Sequence, residues 1–282
     1  MIIDVHSHVW DYTKHFTEEA RRQAQEVSRA DVELDLTVTY EEYRRTAKSC
    51  DRTIVFGGKA KLSGVWVDDE YVAQYAAANS ESIIGFLSVD PTQDGWEKEL
   101  HHGHRELGLK GIKPLPMYAG FYPQDEKLDP LWRYAGDNNL PVITHTGTTF
   151  IPQAPLDCTL PRHFDAVARR FPDVKIVLGH LGHPYEGECV AVIRKHKNMY
   201  ADVSALHYRP FQLYHSLMLV QEYGQWHKLL FGTDYPFTTV DDSIAGLHGL
   251  NGMLEGTGLP RLREEEIEGV IHRDSLELLG LS

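Results

Sequence analysis

The sequence predicts a (β/α)8 barrel, and three observations point there. Short apolar runs alternate with longer segments of helical periodicity through most of the chain. Eight such runs are present, and eight βα units occupy about 250 residues, close to the 282 of this chain. The runs are continuously apolar, as strands of a parallel sheet covered on both faces by helices must be. An open doubly wound sheet would show a glycine-rich phosphate loop after an early strand, and "VFGGKA" is too short a match to one.

The first strand is "MIIDVHSH". Residues 11–49 follow it, rich in charge and helical in pattern ("TEEARRQAQEVSRA", "TYEEYRRTAKSC"), and they form an insertion between the first and second strands. "RTIVFGG", "SIIGFLSV", "LKGIKP" and "PVITHTG" supply strands two to five. Residues 146–162, with Pro152, Pro155 and Pro161, make a second addition, and Phe164, Val167, Ala168 and Phe171 then repeat at helical spacing. "VKIVLGH", "NMYADVS" and "KLLFGTD" complete the eight. Both additions leave from C-terminal strand ends, so in a barrel both hang over the active-site face as lid or wall. One domain spanning 1–282 is expected.

Charge narrows the partners. Lys plus Arg total 28 against 41 for Asp plus Glu, a formal charge of -13. Such a surface repels a phosphate backbone and an anionic bilayer, so neither nucleic acid nor membrane is expected as a partner. No apolar stretch approaches the roughly 20 residues of a membrane span, and no basic leader precedes the first strand, which predicts a soluble cytoplasmic protein. Cys50, Cys158 and Cys189 are too scattered for a disulfide framework and read as reduced thiols in packing roles.

Histidine placement carries the functional signal. Side chains alternate across a strand, which places Asp4, His6 and His8 on one face of the first strand and Ile3, Val5 and Val9 on the other. Three more ligand-type residues close three more apolar runs: His145, His180 and Asp234. Barrel chemistry is drawn from the C-terminal ends of several strands. Neutral imidazoles with a carboxylate are the donor set that borderline divalent ions such as Zn²⁺ select, so the pattern predicts a metal site.

H-x-H on the first strand, His145 and His180 on the fifth and sixth, and "FGTDYPF" on the eighth resemble the amidohydrolase superfamily. "FGTDYP" and "LGHLG" are similar to its amidohydrolase-related branch, which includes relatives of aminocarboxymuconate-semialdehyde decarboxylase. The likeness runs from Ile3 to the closing "HRDSLELLGL". It implies that His6, His8, His145 and Asp234 bind one divalent metal, Zn²⁺ first and Mn²⁺ second. It also implies that His180 lies beside the metal-bound water as a catalytic acid, base or electrophile. Members often pair, so the resemblance implies a possible homodimer. Two departures stand out: His183 occupies a place where decarboxylating relatives often carry Glu, and Asp274 one where Asn is usual.

Such a site suits hydrolysis of a small amide, lactone or ester, with Asp234 taking the water proton and His180 serving the oxyanion or leaving group. Nonoxidative decarboxylation of an aromatic or unsaturated acid is the alternative on the same residues. A metal-binding barrel without catalysis is the second. Lys113, closing the fourth strand, is expected as a solvated or substrate-facing ammonium, since the resemblance is to one-metal members. Arg209, Lys59 and Lys113 are candidates to meet an anionic group of a small-molecule substrate, and Trp10, Phe150 and Tyr235 to wall a ring. The "HHGHRELG" histidines, His101, His102 and His104, read as a surface helix face.

Overall fold

In the computed structural model all eight expected strands form and pair in chain order. They are β1 (Ile3–His8), β2 (Arg52–Phe56), β3 (Ile83–Val89), β4 (Ile112–Pro114), β5 (Val142–Thr144), β6 (Ile176–Leu178), β7 (Met199–Asp202) and β8 (Leu229–Leu230). Each neighbouring pair is parallel. The chain then returns to β1: Val5 N–H donates to Phe231 O at 3.0 Å, Asp234 N–H to His6 O at 2.7 Å and His8 N–H to Tyr235 O at 2.9 Å, closing the barrel. The structure describes residues 1–28 and 32–281. Among them, no helix is long and apolar enough to cross a membrane.

Two apolar layers hold the barrel. The larger lies between strands and helices and takes Val55, Leu87, Val142, Ile176 and Ala201 from the sheet with Phe164, Val167 and Leu217 from helices. The smaller gathers Ile54, Phe86, Ile143, Val177 and Leu230 from strand after strand, so it fills the barrel interior. Leu276 and Leu279 of the terminal helix Ser275–Leu279 join it as a plug. Asp274 caps that helix by accepting from Glu277 N–H.

β1 departs from strict alternation. Its pairing with β2 shifts between Asp4 and Ser7, which is the signature of a bulge. Ile3 and Val5 therefore join the interior cluster. Asp4 turns the other way, where Tyr43 Oη donates to it at 3.3 Å and Thr233 Oγ1 at 2.8 Å. The expectation that Asp4, His6 and His8 share a face is thus corrected: the extra residue rephases the strand, and only the two histidines reach the mouth together, their rings 5.6 Å apart.

The 11–49 insertion divides into two jobs. Tyr12–His15 and Glu18–Ser28 are helices, and their Tyr12, Ala20 and Ala24, with Phe16 between them, line the cavity at the barrel mouth. Tyr40–Thr46 is the outer helix between β1 and β2, not lid: its buried Tyr43 shares a hydrogen bond of 2.6 Å with Thr53 Oγ1 of β2. Residues 29–31 lie outside the described residues. In the 146–162 segment Phe150 and Ile151 reach the same cavity, while Cys158 and Thr159 are buried. All three cysteines are buried and unbridged.

Candidate active site

His6, His8, His145, His180 and Asp234 meet at the C-terminal mouth of the barrel, each at most 9% exposed. Room for His6 is made by glycine. A side chain at Gly179 would meet the His6 ring at 3.1 Å and one at Gly232 would meet His6 Cβ at 2.9 Å, which explains the glycine in "VLGH" and in "LFGTD". His180 and Asp234 take positive φ, 57° and 67°. Such a conformation costs non-glycine residues on the order of 1–3 kcal/mol, and here it belongs to two of the site's own residues.

Asp202, at the end of β7 and fully buried, organises the cluster. Its Oδ2 accepts from His6 Nδ1 at 2.8 Å, and its Oδ1 accepts from the backbone N–H of His180 at 3.0 Å and from the Ser204 hydroxyl. Ser204 Oγ lies 2.8 Å from His180 Nδ1. Because a carboxylate only accepts, His6 and His180 both carry their hydrogen on Nδ1, and both leave an Nε2 lone pair for the mouth. His145 Nε2 faces the carbonyl of Thr148 at 3.2 Å, so its Nδ1 is unprotonated and lies 3.2 Å from His180 Nε2.

This donor set fits a divalent cation. Donor atoms of His6, His180 and Asp234 all lie within 4.8 Å of one another. Two imidazole lone pairs facing each other at His145 and His180 need a positive centre between or beside them. His8 Nε2 stands 3.0 Å from Asp234 Oδ1. Of the four expected ligands, His6 and Asp234 fall within 4.8 Å of each other and of His180, while His8 adjoins the group through Asp234 and His145 through His180, 3.2 Å from its Nε2.

Burial sets the electrostatics. It pushes the His6, His8 and His180 imidazoles well below their ordinary range and His145 down to about 3, so all four are neutral, the ligand form of histidine. The same burial raises Asp234 well above the carboxylate range, opposed by the Lys113 ammonium. Lys113 is not solvated, contrary to one expectation for it. It is fully buried, pushed down to about 7, stacked 3.9 Å over Phe56, and its Nζ donates to His6 Nε2 at 2.9 Å. Its ring partner is a ligand candidate, so Lys113 and a cation compete for one lone pair.

The surrounding walls sort the remaining candidates. Trp10 stacks on His8 at 4.4 Å, and both line an apolar cavity above the cluster with Lys113 and Phe150. Arg209 sits in an adjoining outer cleft with His145, His180 and Asp234. It is exposed, stacked on Tyr208, and has no carboxylate partner among the described residues. Lys59 is corrected: it is buried beneath the hairpin Lys59–Ala60/Val65–Trp66, paired with Asp69 at 2.9 Å and Glu99 at 2.8 Å, and unavailable to substrate. Tyr235 is also corrected, since it packs edge-on against Tyr43 and Phe237 lines the cavity instead. His101, His102 and His104 lie on the outer helix Trp96–Arg105, where His102 pairs with Glu70. His183 contacts Glu186, itself bonded to Ser216.

Asp202, Ser204, Tyr118 and Phe237 were missed in the sequence. Asp202 did carry a signal, because "NMYAD" ends on a carboxylate at the same strand position as the ligands.

The fold has close structural relatives at low identity. An uncharacterized TIM-barrel protein from Bordetella bronchiseptica superposes with a TM-score of 0.73 at 21% identity, covering 99% of this chain and 98% of that one. A probable 2-pyrone-4,6-dicarboxylic acid hydrolase from Acinetobacter baumannii gives 0.66 at 15%, covering 99% of each. A dihydroxybenzoic acid decarboxylase from Polaromonas sp. JS666, with bound manganese and 2-nitroresorcinol, gives 0.67 at 16%, covering 99% and 97%. No curated protein matches the chain. The amidohydrolase family model matches residues 3–281, and with the strand-end histidines and Asp234 in place the chain belongs to the amidohydrolase family.

Proposed function

We propose that the protein is a metal-dependent nonoxidative decarboxylase of a small aromatic or unsaturated carboxylic acid. The observation that carries this is the cavity over the ligand cluster, walled by Trp10, Phe16, Leu36, Leu115, Phe150 and Phe237. Those walls suit the ring of an aromatic acid, whose carboxylate then lies at the ligand cluster, where it can be lost as carbon dioxide. Decarboxylation thereby displaces the hydrolysis that the motifs alone put first. The manganese-bearing decarboxylase among the structural neighbours supports this choice and favours Mn²⁺ over Zn²⁺.

In this proposal His6, His8, His145 and Asp234 hold the ion. When bound there, a divalent ion fixes the substrate oxygens and offsets their charge. Trp10 and Phe150 orient the ring, and Arg209 meets an anionic group from the outer cleft. The carboxyl carbon leaves as carbon dioxide, its bonding electron pair stays on the ring carbon, and one proton replaces it. Asp234, at the mouth beside the ring carbon, passes that proton on. His180, steadied by Ser204 and Asp202, restores it from the mouth.

The test is product analysis with carboxyl-¹³C hydroxybenzoates beside a panel of lactones, esters and amides, on protein loaded with Mn²⁺ or Zn²⁺. Labelled carbon dioxide, lost in Asp234→Asn, is the expected result. Turnover of a lactone or amide with oxygen taken from water, and no carbon dioxide from any acid, would establish hydrolysis instead. Metal binding without turnover in either panel would leave a noncatalytic barrel.

A further inference from the structure

The apolar cavity and the outer cleft share one set of walls, Tyr118, His145, Phe150, His180, Asp234 and Phe237. A molecule reacting at His180 and Asp234 therefore has two directions in which to extend. Toward the cleft it meets Arg209 and His183. Toward the cavity, beyond His8 and Lys113 of the cluster, it meets mostly apolar walls, among them Trp10, Phe16, Leu36, Ile151 and two alanines of the insertion.

Those alanines are the informative part. Helix Glu18–Ser28 turns Ala20, Gln23 and Ala24 inward. The Gln23 side chain donates to Glu19 and Gln153, which leaves the two methyl groups as the wall. The cavity they bound measures about 110 Å³. An apolar cavity of roughly 150 Å³ stays dry and takes up benzene, so this space matches a short alkyl group or the edge of a second ring. Any larger side chain at Ala20 or Ala24 would fill it.

We propose that the insertion builds a subsite for an apolar substituent, so that the substrate is an aromatic acid whose acid end faces Arg209 and the ligand cluster. Its ring carries a short alkyl group or fused ring seated against Ala20, Ala24 and Leu36. The acid end of this inference rests on the decarboxylase proposal, whereas the apolar end rests on the cavity alone.

Calorimetric titration of the full chain, loaded with Mn²⁺, with benzoate, 4-ethylbenzoate and 4-butylbenzoate tests it. Each buried methylene tightens binding by up to roughly fourfold, so the butyl compound should bind more than tenfold tighter than benzoate. Ala24→Phe should bring that ratio close to one, and Leu36→Ala, which removes a wall the substituent sits against, should lower it. Each ratio is taken within one protein preparation, so partial misfolding of a variant cancels. A wild-type ratio near one, a ratio unmoved by both substitutions, or no binding of 4-butylbenzoate at millimolar concentration would overturn the subsite. A substitution-sensitive ratio without carbon dioxide release from any acid would keep the subsite and sink the decarboxylase; the reverse pair of results would do the opposite.

Discussion

Asp202 shows how a residue that touches no substrate decides what its neighbours are. By accepting from His6 Nδ1 and, through Ser204, fixing His180, it selects the tautomers whose lone pairs face the mouth. Asp202→Asn should lower metal affinity by roughly 10- to 100-fold, as loss of such an orienting carboxylate typically does, measured by competition with a chromogenic chelator. His207, behind β8, illustrates a different cost. Its Nε2 bonds Gly232 O at 3.0 Å, its Nδ1 has no partner among the described residues, and burial pushes it down to about 4. Below its ordinary value of about 6.5 the unfolded chain takes up a proton that the folded one refuses. Stability present at neutral pH is therefore lost as pH falls, by roughly 3 kcal/mol near pH 4. In urea titrations from pH 8 to pH 4, His207→Gln should flatten this part of the dependence.

At the scale of elements, the hairpin and the bulge do the positioning. Lys59 is drawn into a buried pair because β2 runs into a two-stranded hairpin whose backbone is held by Ser88 and Asp90 of the neighbouring strand end. Asp69, pushed up to about 6, remains charged at neutral pH only beside that ammonium. Lys59→Met should destabilise the fold by roughly 3–5 kcal/mol at pH 8, because it strands a buried carboxylate. The loss should shrink as pH falls toward 6, because without the ammonium Asp69 takes up its proton at higher pH than in the wild type, and bound metal per folded chain should stay at the wild-type value. These outcomes, read by urea denaturation and elemental analysis, separate a structural lysine from a substrate-binding one. The β1 bulge acts with similar economy: one extra residue lets Asp4 tie the outer helix and Thr233 together while both histidines still reach inward.

For the whole molecule, a site assembled from β1, β5, β6 and the turn after β8 exists only when the barrel is closed. Metal binding should therefore stabilise the native state alone. At a hundredfold excess over its dissociation constant, Mn²⁺ should add about 2.7 kcal/mol. That is a rise in Tm of roughly 5 °C or more by calorimetry, abolished in His6→Ala/His8→Ala. The sequence by itself determined the barrel and which polar residues close its strands at the mouth, because continuous apolar runs and strand-terminal histidines are local patterns with one economical three-dimensional solution. His6, His8, His145, His180 and Asp234 were all legible that way. Tertiary structure alone decided that Asp4 faces outward, that Lys59 is paired and Lys113 buried, that Asp202 sets the tautomers, and that the chamber is apolar. Each of these depends on which distant segment covers a residue, and a one-residue bulge or an insertion folded across the mouth leaves no periodic trace in the chain.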